Sequence, residues 1–178
     1  MSLQFTRAPL LLLTFFLLMI GTSSAISAPI NLTELEVPQR APTLELISID
    51  KNVHTLSEYK GKPVIINFWA TWCPPCVKEL PAFNRAWSKV KDKGIEMIAV
   101  NVGDDPQTVI EFMKDIPIDF TVLLDPDSEQ ISGWQMHGLP STFILNPNGE
   151  VAYQAVGERE WDNDELLAKV LALRVSKP

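Results

Sequence analysis

The sequence has few of the residues that build metal sites or bind nucleic acid. It contains two cysteines and two histidines among 178 residues, so a zinc site with four such ligands would need all of them. Its 15 basic residues are outnumbered by 22 acidic ones, a net charge of −7, which argues against nucleic acid and anionic membranes as partners. It has no internal repeats and no low-complexity stretches. With 46% hydrophobic residues, the chain is expected to form one domain with a core of its own.

The apolar run near the N-terminus is short for a membrane span. The stretch APLLLLTFFLLMIG follows Arg7 and leads into the small, polar TSSA, whereas a bilayer span needs about 20 apolar residues. This pattern predicts a signal peptide at residues 1–25, cleaved after Ala25; the alternative is an uncleaved N-terminal membrane anchor. Either way we expect the rest of the chain outside the cytoplasm, in the periplasm. Residues 26–42 are predicted to be a linker and 43–178 the folded domain.

Cys73 and Cys76 stand three residues apart, in NFWATWCPPCVKELPAF. In an oxidising compartment a pair of cysteines normally forms a disulfide. A disulfide stabilises a fold by closing a loop, and the benefit grows with the length of the loop. Because this loop is very short, a structural role is disfavoured, and metal binding or electron transfer remains.

The hydrophobic pattern predicts an α/β fold. TLELISID and NVHTL indicate a hairpin, and PVIINFWA has the continuous apolar character of a strand buried on both faces. A helical pattern runs from Pro74 to about Asp92, and IEMIAVNV is a second buried strand. A strand, a helix and another strand in this order predict a parallel βαβ unit.

The second half of the domain continues the alternation. GDDPQTVIEFMKDI predicts a helix capped by Asp105, and FTVLL predicts a strand. STFILN and EVAYQAV form a hairpin around PNG. DNDELLAKVLALRV predicts a closing helix capped by Asp162 or Asn163. We therefore expect a central mixed sheet flanked by helices, with an N-terminal hairpin and an inserted helix and strand.

FWATWCPPC, placed between a buried strand and a helix, resembles the redox motif of the thioredoxin superfamily. The later GLPSTFILNPNGEVAY resembles the cis-proline segment and hairpin of that superfamily. CVKELP and the extra helix and strand at residues 104–123 narrow the resemblance to the exported TlpA/ResA-type thiol–disulfide oxidoreductases, from about Pro42 to the C-terminus. The resemblance implies a thioredoxin-like fold and reduction of disulfide-bearing proteins without a cofactor or metal. It makes apocytochrome c cysteines a candidate substrate and a membrane thiol protein the electron donor.

The position of each cysteine on the helix suggests its role. Cys73 would cap the helix with an exposed sulfur, where the helix dipole favours a thiolate. Cys76 would lie one turn further, on the buried face. We therefore expect Cys73 to attack the substrate disulfide and Cys76 to resolve the mixed disulfide. Because Pro74 and Pro75 carry no N–H, the Cys73 thiolate has fewer donors, which predicts a more reducing couple and argues against an oxidant that installs disulfides.

Three more positions are predicted from the resemblance. Glu79 matches a glutamate of the ResA-like branch and would take the Cys76 proton as a general base; Asn67 stands where thioredoxins have a buried aspartate. The Leu139–Pro140 bond is expected to be cis and to face the cysteines, where an incoming chain could pair with the backbone. Trp72 is expected to be exposed and to help dock the partner. The competing interpretations are a solvated surface glutamate at Glu79 and a packed core aromatic at Trp72.

A metallochaperone is the alternative function. Two thiolates and an imidazole suit Cu(I), and Cys73, Cys76 and His137 could supply them if His137 lies near the cysteines. In related copper-handling proteins of this fold, three residues rather than two separate the cysteines, which favours the reductase.

Overall fold

The computed structural model describes residues 32–175, which form eight β-strands and three α-helices. The strands are β1 (Thr33–Arg40), β2 (Glu45–Ser48), β3 (Val53–Thr55), β4 (Val64–Trp69), β5 (Glu96–Val102), β6 (Thr121–Asp125), β7 (Ser141–Leu145) and β8 (Glu150–Val156). The helices are α1 (Pro74–Val90), α2 (Pro106–Asp115) and α3 (Asp164–Ala172). The predicted order of elements from residue 43 onward is confirmed.

All eight strands belong to one mixed sheet, in the order β1-β8-β7-β4-β5-β6-β2-β3. Strands β4, β5 and β6 are parallel to one another, and the remaining pairs are antiparallel. Every residue of β4 is buried, as expected for a parallel strand covered on both faces. The predicted βαβ unit is β4-α1-β5, and the inserted helix and strand are α2 and β6.

The expected linker at residues 26–42 is wrong for residues 33–40. These residues form β1, which pairs antiparallel with β8 from Thr33↔Gln154 to Arg40↔Glu150, with an irregularity between Glu34 and Gln39. Seven of the eight residues of β1 are exposed, so the strand lacks the alternating apolar pattern that identifies strands in a sequence. Backbone pairing with β8 holds it instead, and an edge strand tolerates its proline.

The predicted signal peptide or anchor at residues 1–25 lies outside the described residues. Within residues 32–175, no helix is long and apolar enough to cross a membrane.

Two hydrophobic clusters cover the two faces of the sheet. Alternate residues of β4 divide between them: Ile65 and Trp69 belong to one cluster, and Ile66 and Phe68 to the other. The buried hydrophobic residues of α1, α2 and α3 all belong to the first cluster. On the other face, partly buried residues of two 3₁₀-helices, Leu56–Tyr59 and Gln130–Trp134, contribute to the cover. The α-helical layer therefore lies on one face.

The register of β4 and β7 determines where the site forms. Phe68, near the end of β4, pairs with Ser141 at the start of β7. The chain leaves β4 through a short loop into α1, and the residue before Ser141 is Pro140. The cysteine loop and the Leu139–Pro140 segment therefore meet at the same edge of the sheet.

Candidate active site

Cys73 and Cys76 form a disulfide with a Cα–Cα distance of 5.3 Å. Cys73 is the N-cap of α1 with extended backbone angles, φ −100° and ψ 99°, and Pro74 and Pro75 open the helix. Both cap position and pairing therefore match the sequence analysis.

The expectation that the Cys73 sulfur is exposed is wrong for the oxidised protein. Cys73 is 5% exposed and Cys76 is fully buried, and both belong to the first core cluster. The Cys73 sulfur is bonded to that of Cys76, which lies on the buried side of α1. Cys73 remains the more accessible of the two, as predicted.

Trp72, immediately before Cys73, is 64% exposed, so the interpretation as a packed core aromatic is wrong. The loop that presents it is held by Asp104. This carboxylate accepts the Thr71 N–H at 2.8 Å, the Thr71 hydroxyl at 2.9 Å and the Asn101 amide at 2.8 Å. Asp104 is 7% exposed. Asp104 was not predicted from the sequence, because only the fold brings it to Thr71, 33 residues earlier in the chain.

The Leu139–Pro140 peptide bond is cis, as predicted. Pro140 is buried, and its carbonyl accepts the Gly157 N–H at 2.8 Å. Leu139 is half-buried and packs against both hydrophobic clusters. The loop before β7 is therefore fixed on its inner side to β8 and to the core.

Glu79 is buried inside the protein, with 2% of its surface exposed. It lies one helical turn after Cys76. Its Oε1 accepts from the Asn67 side chain at 2.9 Å. Its Oε2 accepts from the Arg159 backbone N–H at 3.1 Å and from the Trp161 indole N–H at 2.8 Å. The interpretation of Glu79 as a solvated surface residue is therefore wrong.

Burial raises the pKa of Glu79 to about 7, and the Trp161, Asn67 and Arg159 hydrogen bonds oppose that rise. Desolvation penalises a charged carboxylate, whereas donors stabilise it. With the pKa near neutral pH, both forms are populated, which suits a group that accepts and releases a proton.

The residues that hold Glu79 were not predicted from the sequence. Asn67 was noted only as a departure from thioredoxins, and Trp161 lies 82 residues after Glu79. Asn67 donates a second hydrogen bond, to the Thr142 hydroxyl at 3.0 Å. A polar residue in the apolar run PVIINFWA was the available signal for Asn67, since a buried amide needs partners.

A cleft of about 250 Å³ lies beside Glu79, between α1 and the segment that connects β8 to α3. Charged side chains line it on both sides. Lys78 pairs with Glu158, and Arg85 pairs with Asp162 at 2.7 Å. The cleft gives the buried carboxyl group a neighbouring polar space on the side of α1.

The structure does not assemble the Cu(I) ligand set of the alternative function. His137 is exposed on the loop before Pro140. Within residues 32–175, no group of three or more His, Cys, Asp or Glu residues is close enough to hold a metal ion. The condition of the metallochaperone alternative, that His137 lies with the two cysteines, is therefore not met within the described residues.

Comparison with known proteins agrees with this geometry. The AhpC/TSA family model matches residues 37–154. The thiol-disulfide oxidoreductase ResA of Geobacillus kaustophilus is 36% identical over 67% of this chain and 68% of its own length. The ResA of Bacillus thuringiensis subsp. konkukian is 33% identical over 77% of this chain and 80% of its own.

Solved structures give the same result. A crystal structure of a protein described as a thiol:disulfide interchange protein DsbE, from Chlorobium tepidum, is 33% identical. It superposes with a TM-score of 0.72 over 79% of this chain and 99% of that one. StoA from Bacillus subtilis is 26% identical, with a TM-score of 0.63 over 75% of this chain and 98% of that one. The chain belongs to the AhpC/TSA family of thioredoxin-like proteins and is a thiol–disulfide oxidoreductase of the ResA type.

Proposed function

We propose that this oxidoreductase works as a reductase of protein disulfides outside the cytoplasm, with the cysteines of apocytochrome c as its substrate class. The observation that carries the reductive assignment is the buried Glu79, held by three donors one turn after Cys76. The two prolines between the cysteines support it, because they remove N–H donors that would stabilise a Cys73 thiolate. The apolar run before residue 25 supports export.

The reaction begins with reduced Cys73 and Cys76. The Cys73 thiolate attacks one sulfur of the substrate disulfide, so that a mixed disulfide forms and the other substrate sulfur leaves as a thiolate. Glu79 then takes the proton of the Cys76 thiol. The Cys76 thiolate attacks Cys73, the Cys73–Cys76 disulfide forms, and the second substrate sulfur leaves. The substrate gains two electrons and the protein loses them.

A buried base suits the resolving step. A free thiol has a pKa near 8.5, so most of it is protonated at neutral pH. Cys76 is fully buried, and burial in apolar surroundings disfavours the thiolate further. Glu79, with a pKa of about 7, is ionised in part at neutral pH and can accept the proton. After turnover it releases the proton, and the polar cleft between Lys78 and Glu158 offers a route to solvent.

The exposed Trp72 and the Leu139–Pro140 loop supply the docking surface in this proposal. Trp72 presents a large apolar side chain beside Cys73, and an extended substrate segment would pair with the backbone before β7. A membrane thiol protein would reduce the Cys73–Cys76 disulfide again through the same surface. If the leader is not cleaved, it would hold the domain at the membrane where that donor lies.

Two measurements test the proposal. The reduction potential of the Cys73–Cys76 couple should be more negative than about −200 mV, on the thioredoxin side of the known scale rather than at its oxidising end near −120 mV. A peptide carrying an oxidised C-x-x-C-H haem-attachment motif should be reduced faster than a disulfide peptide of the same length with a scrambled sequence. A potential near −120 mV would refute the reductase assignment, and equal rates for the two peptides would refute the apocytochrome preference alone.

A further inference from the structure

The hydrogen-bonding capacity of Asn67 is used unevenly. Its side chain is 1% exposed and lies in the centre of the sheet, on β4. Both amide hydrogens have acceptors, the Glu79 Oε1 at 2.9 Å and the Thr142 Oγ1 at 3.0 Å. No described residue donates to its Oδ1. This arrangement fits a charged Glu79, because a carboxylate can only accept.

When Glu79 is neutral, it needs a hydrogen-bond acceptor from Asn67 instead of a donor. A protonated carboxyl group has an O–H to donate, and a hydroxyl such as that of Thr142 can donate as well as accept. The two ends of a primary amide have nearly the same shape. A half-turn of the Asn67 amide would place Oδ1 where Nδ2 now lies. Oδ1 would then accept from Glu79 and from Thr142, with no change of position in any of the three side chains.

We propose that Asn67, supported by Thr142, is the positioning residue that holds Glu79 in both its charged and its neutral form by turning its amide over when Glu79 gains a proton. The proposal rests on the acid–base role of Glu79 proposed above. It explains why an amide occupies this place. An apolar residue could hold neither form, and a carboxylate would repel the charged one.

The two orientations are not equivalent. With Glu79 charged, the amide leaves one acceptor oxygen unpaired; with Glu79 neutral, it leaves two N–H donors in that place. Unpaired buried donors are rarer and less tolerated than an under-used oxygen. Asn67 therefore favours the charged form of Glu79 and lowers its pKa, in agreement with the direction of its effect on that group. Removing the amide should make Glu79 harder to ionise.

Other charges surround Glu79 and must be held constant in a test. Lys78 and Arg85 lie on α1, and Glu158, Arg159 and Glu160 lie in the segment between β8 and α3. Strands β4 and β7 contribute the uncharged Asn67 and Thr142. In the oxidised protein the cysteines are joined and do not titrate. Comparing oxidised proteins that differ only at residue 67 therefore isolates the effect of the Asn67 amide on the ionisation of Glu79.

The test is an NMR titration of the oxidised protein labelled with ¹³C and ¹⁵N. The Asn67 side-chain amide signals and the Glu79 carboxyl carbon should change with the same midpoint. Asn101 is the internal control, because its amide is also buried and leaves Oδ1 without a described partner while donating to Asp104. The Asn101 amide signals should not follow the Glu79 midpoint.

Variants complete the test. In Glu79→Gln, the new amide can donate to Asn67 as a neutral carboxyl would, so the Asn67 signals should lose their pH dependence near neutrality. In Asn67→Leu, the ionisation constant of Glu79 should fall about tenfold, the effect of a hydrogen bond to a charged group. Thr142→Val should give a smaller change in the same direction.

Two results would overturn the proposed turning of the Asn67 amide. One is Asn67 signals that do not titrate with Glu79, and the other is an unchanged Glu79 midpoint in Asn67→Leu. The first is measured on the unsubstituted protein and does not depend on folding of a variant. The acid–base role is tested separately, because unchanged turnover in Glu79→Gln would refute that role while leaving the titration of Asn67 as it stands.

Discussion

Replacing Trp161 by Phe should move the pH dependence of the resolving step without rebuilding the site. The Trp161 indole donates to Glu79 Oε2 at 2.8 Å, and its ring stacks on Phe83 with a centroid distance of 4.6 Å. Phenylalanine keeps an aromatic ring against Phe83 but carries no N–H. The substitution therefore removes one of the three donors that hold Glu79.

The expected change in the pKa of Glu79 follows from the strength of the hydrogen bond that Trp161 donates. A hydrogen bond to a charged group contributes about 1.5–3 kcal/mol, and one pH unit corresponds to about 1.4 kcal/mol. The pKa of Glu79, about 7 in the native protein, should therefore rise by about one to two pH units. At pH 7 the ionised fraction would fall from about one half to about a tenth or less. Resolution that needs the carboxylate should slow by about 5- to 50-fold.

The assay follows resolution alone. A mixed disulfide between Cys73 and thionitrobenzoate leaves the Cys76 thiol free, and attack by Cys76 releases the coloured thiolate. Rates measured from pH 5 to pH 10 should show a midpoint displaced to higher pH in Trp161→Phe. At pH values above the raised pKa of Glu79 in the variant, the rates of the two proteins should converge, because Glu79 is then ionised in both.

Trp134→Phe is the matched control. Trp134 is also buried, but no described residue accepts a hydrogen bond from its indole nitrogen, and it belongs to the cluster on the other face of the sheet. It should lose stability without any change in the pH midpoint. If Trp161→Phe and Trp134→Phe show the same midpoint as the native protein, the donor argument for Glu79 is refuted.

Further outcomes follow from the same geometry. Cys76→Ser should accumulate mixed disulfides on Cys73 that gel electrophoresis without reductant detects, whereas Cys73→Ser should accumulate none; equal trapping would contradict the assigned roles. Glu79→Gln should slow resolution at pH 7 by about 10- to 100-fold and lower the thiol pKa values, as alkylation rates across a pH series would show. The pKa of Glu79 is raised from 4.5 in the unfolded chain to about 7 in the folded protein. The free energy of unfolding is therefore highest below about pH 4.5, where Glu79 is neutral in both states, and it falls as the pH rises through about 7. The free energy of unfolding of Glu79→Gln should therefore rise by up to about 3 kcal/mol relative to the native protein between about pH 4.5 and about pH 7. The same stability difference between the two proteins at pH 4 and at pH 8, measured by urea denaturation, would exclude this. Asp104→Ala leaves the Thr71 N–H without its acceptor and should lower the free energy of unfolding by about 1–3 kcal/mol; an unchanged urea midpoint would show that Asp104 does not hold the loop.

Local pattern was sufficient for most of the fold. The continuous apolar runs of β4 and β5, with the helical pattern of α1 between them, predict two strands buried on both faces in a parallel βαβ unit. Asp105 caps α2 through its side chain, which accepts from two backbone N–H groups at its start, and this follows from residue type and position. Of the two candidate caps for α3, the structure selects Asn163. β1 was not predicted, because it is held by backbone pairing with β8 and its own side chains show no strand pattern.

The sequence by itself also determined the chemistry at the cysteines. Two thiols three residues apart at a helix start disfavour a structural disulfide and leave metal binding or electron transfer, and the resemblance to a family favours electron transfer. The cis Leu139–Pro140 bond and the position of Glu79 were expected from resemblance to a family, since neither can be read from local physics alone.

Only the tertiary structure decided how Glu79 is held. Its donors come from β4 and from the segment after β8, 12 and 80 or more residues away along the chain. Burial and donors act in opposite directions on its pKa, and their balance depends on distances that no local pattern encodes. The same holds for His137, which lies close to Pro140 in sequence but is not brought into a metal site with the cysteines. Sequence specifies which groups are available, whereas the fold determines which of them meet and what solvent they lose.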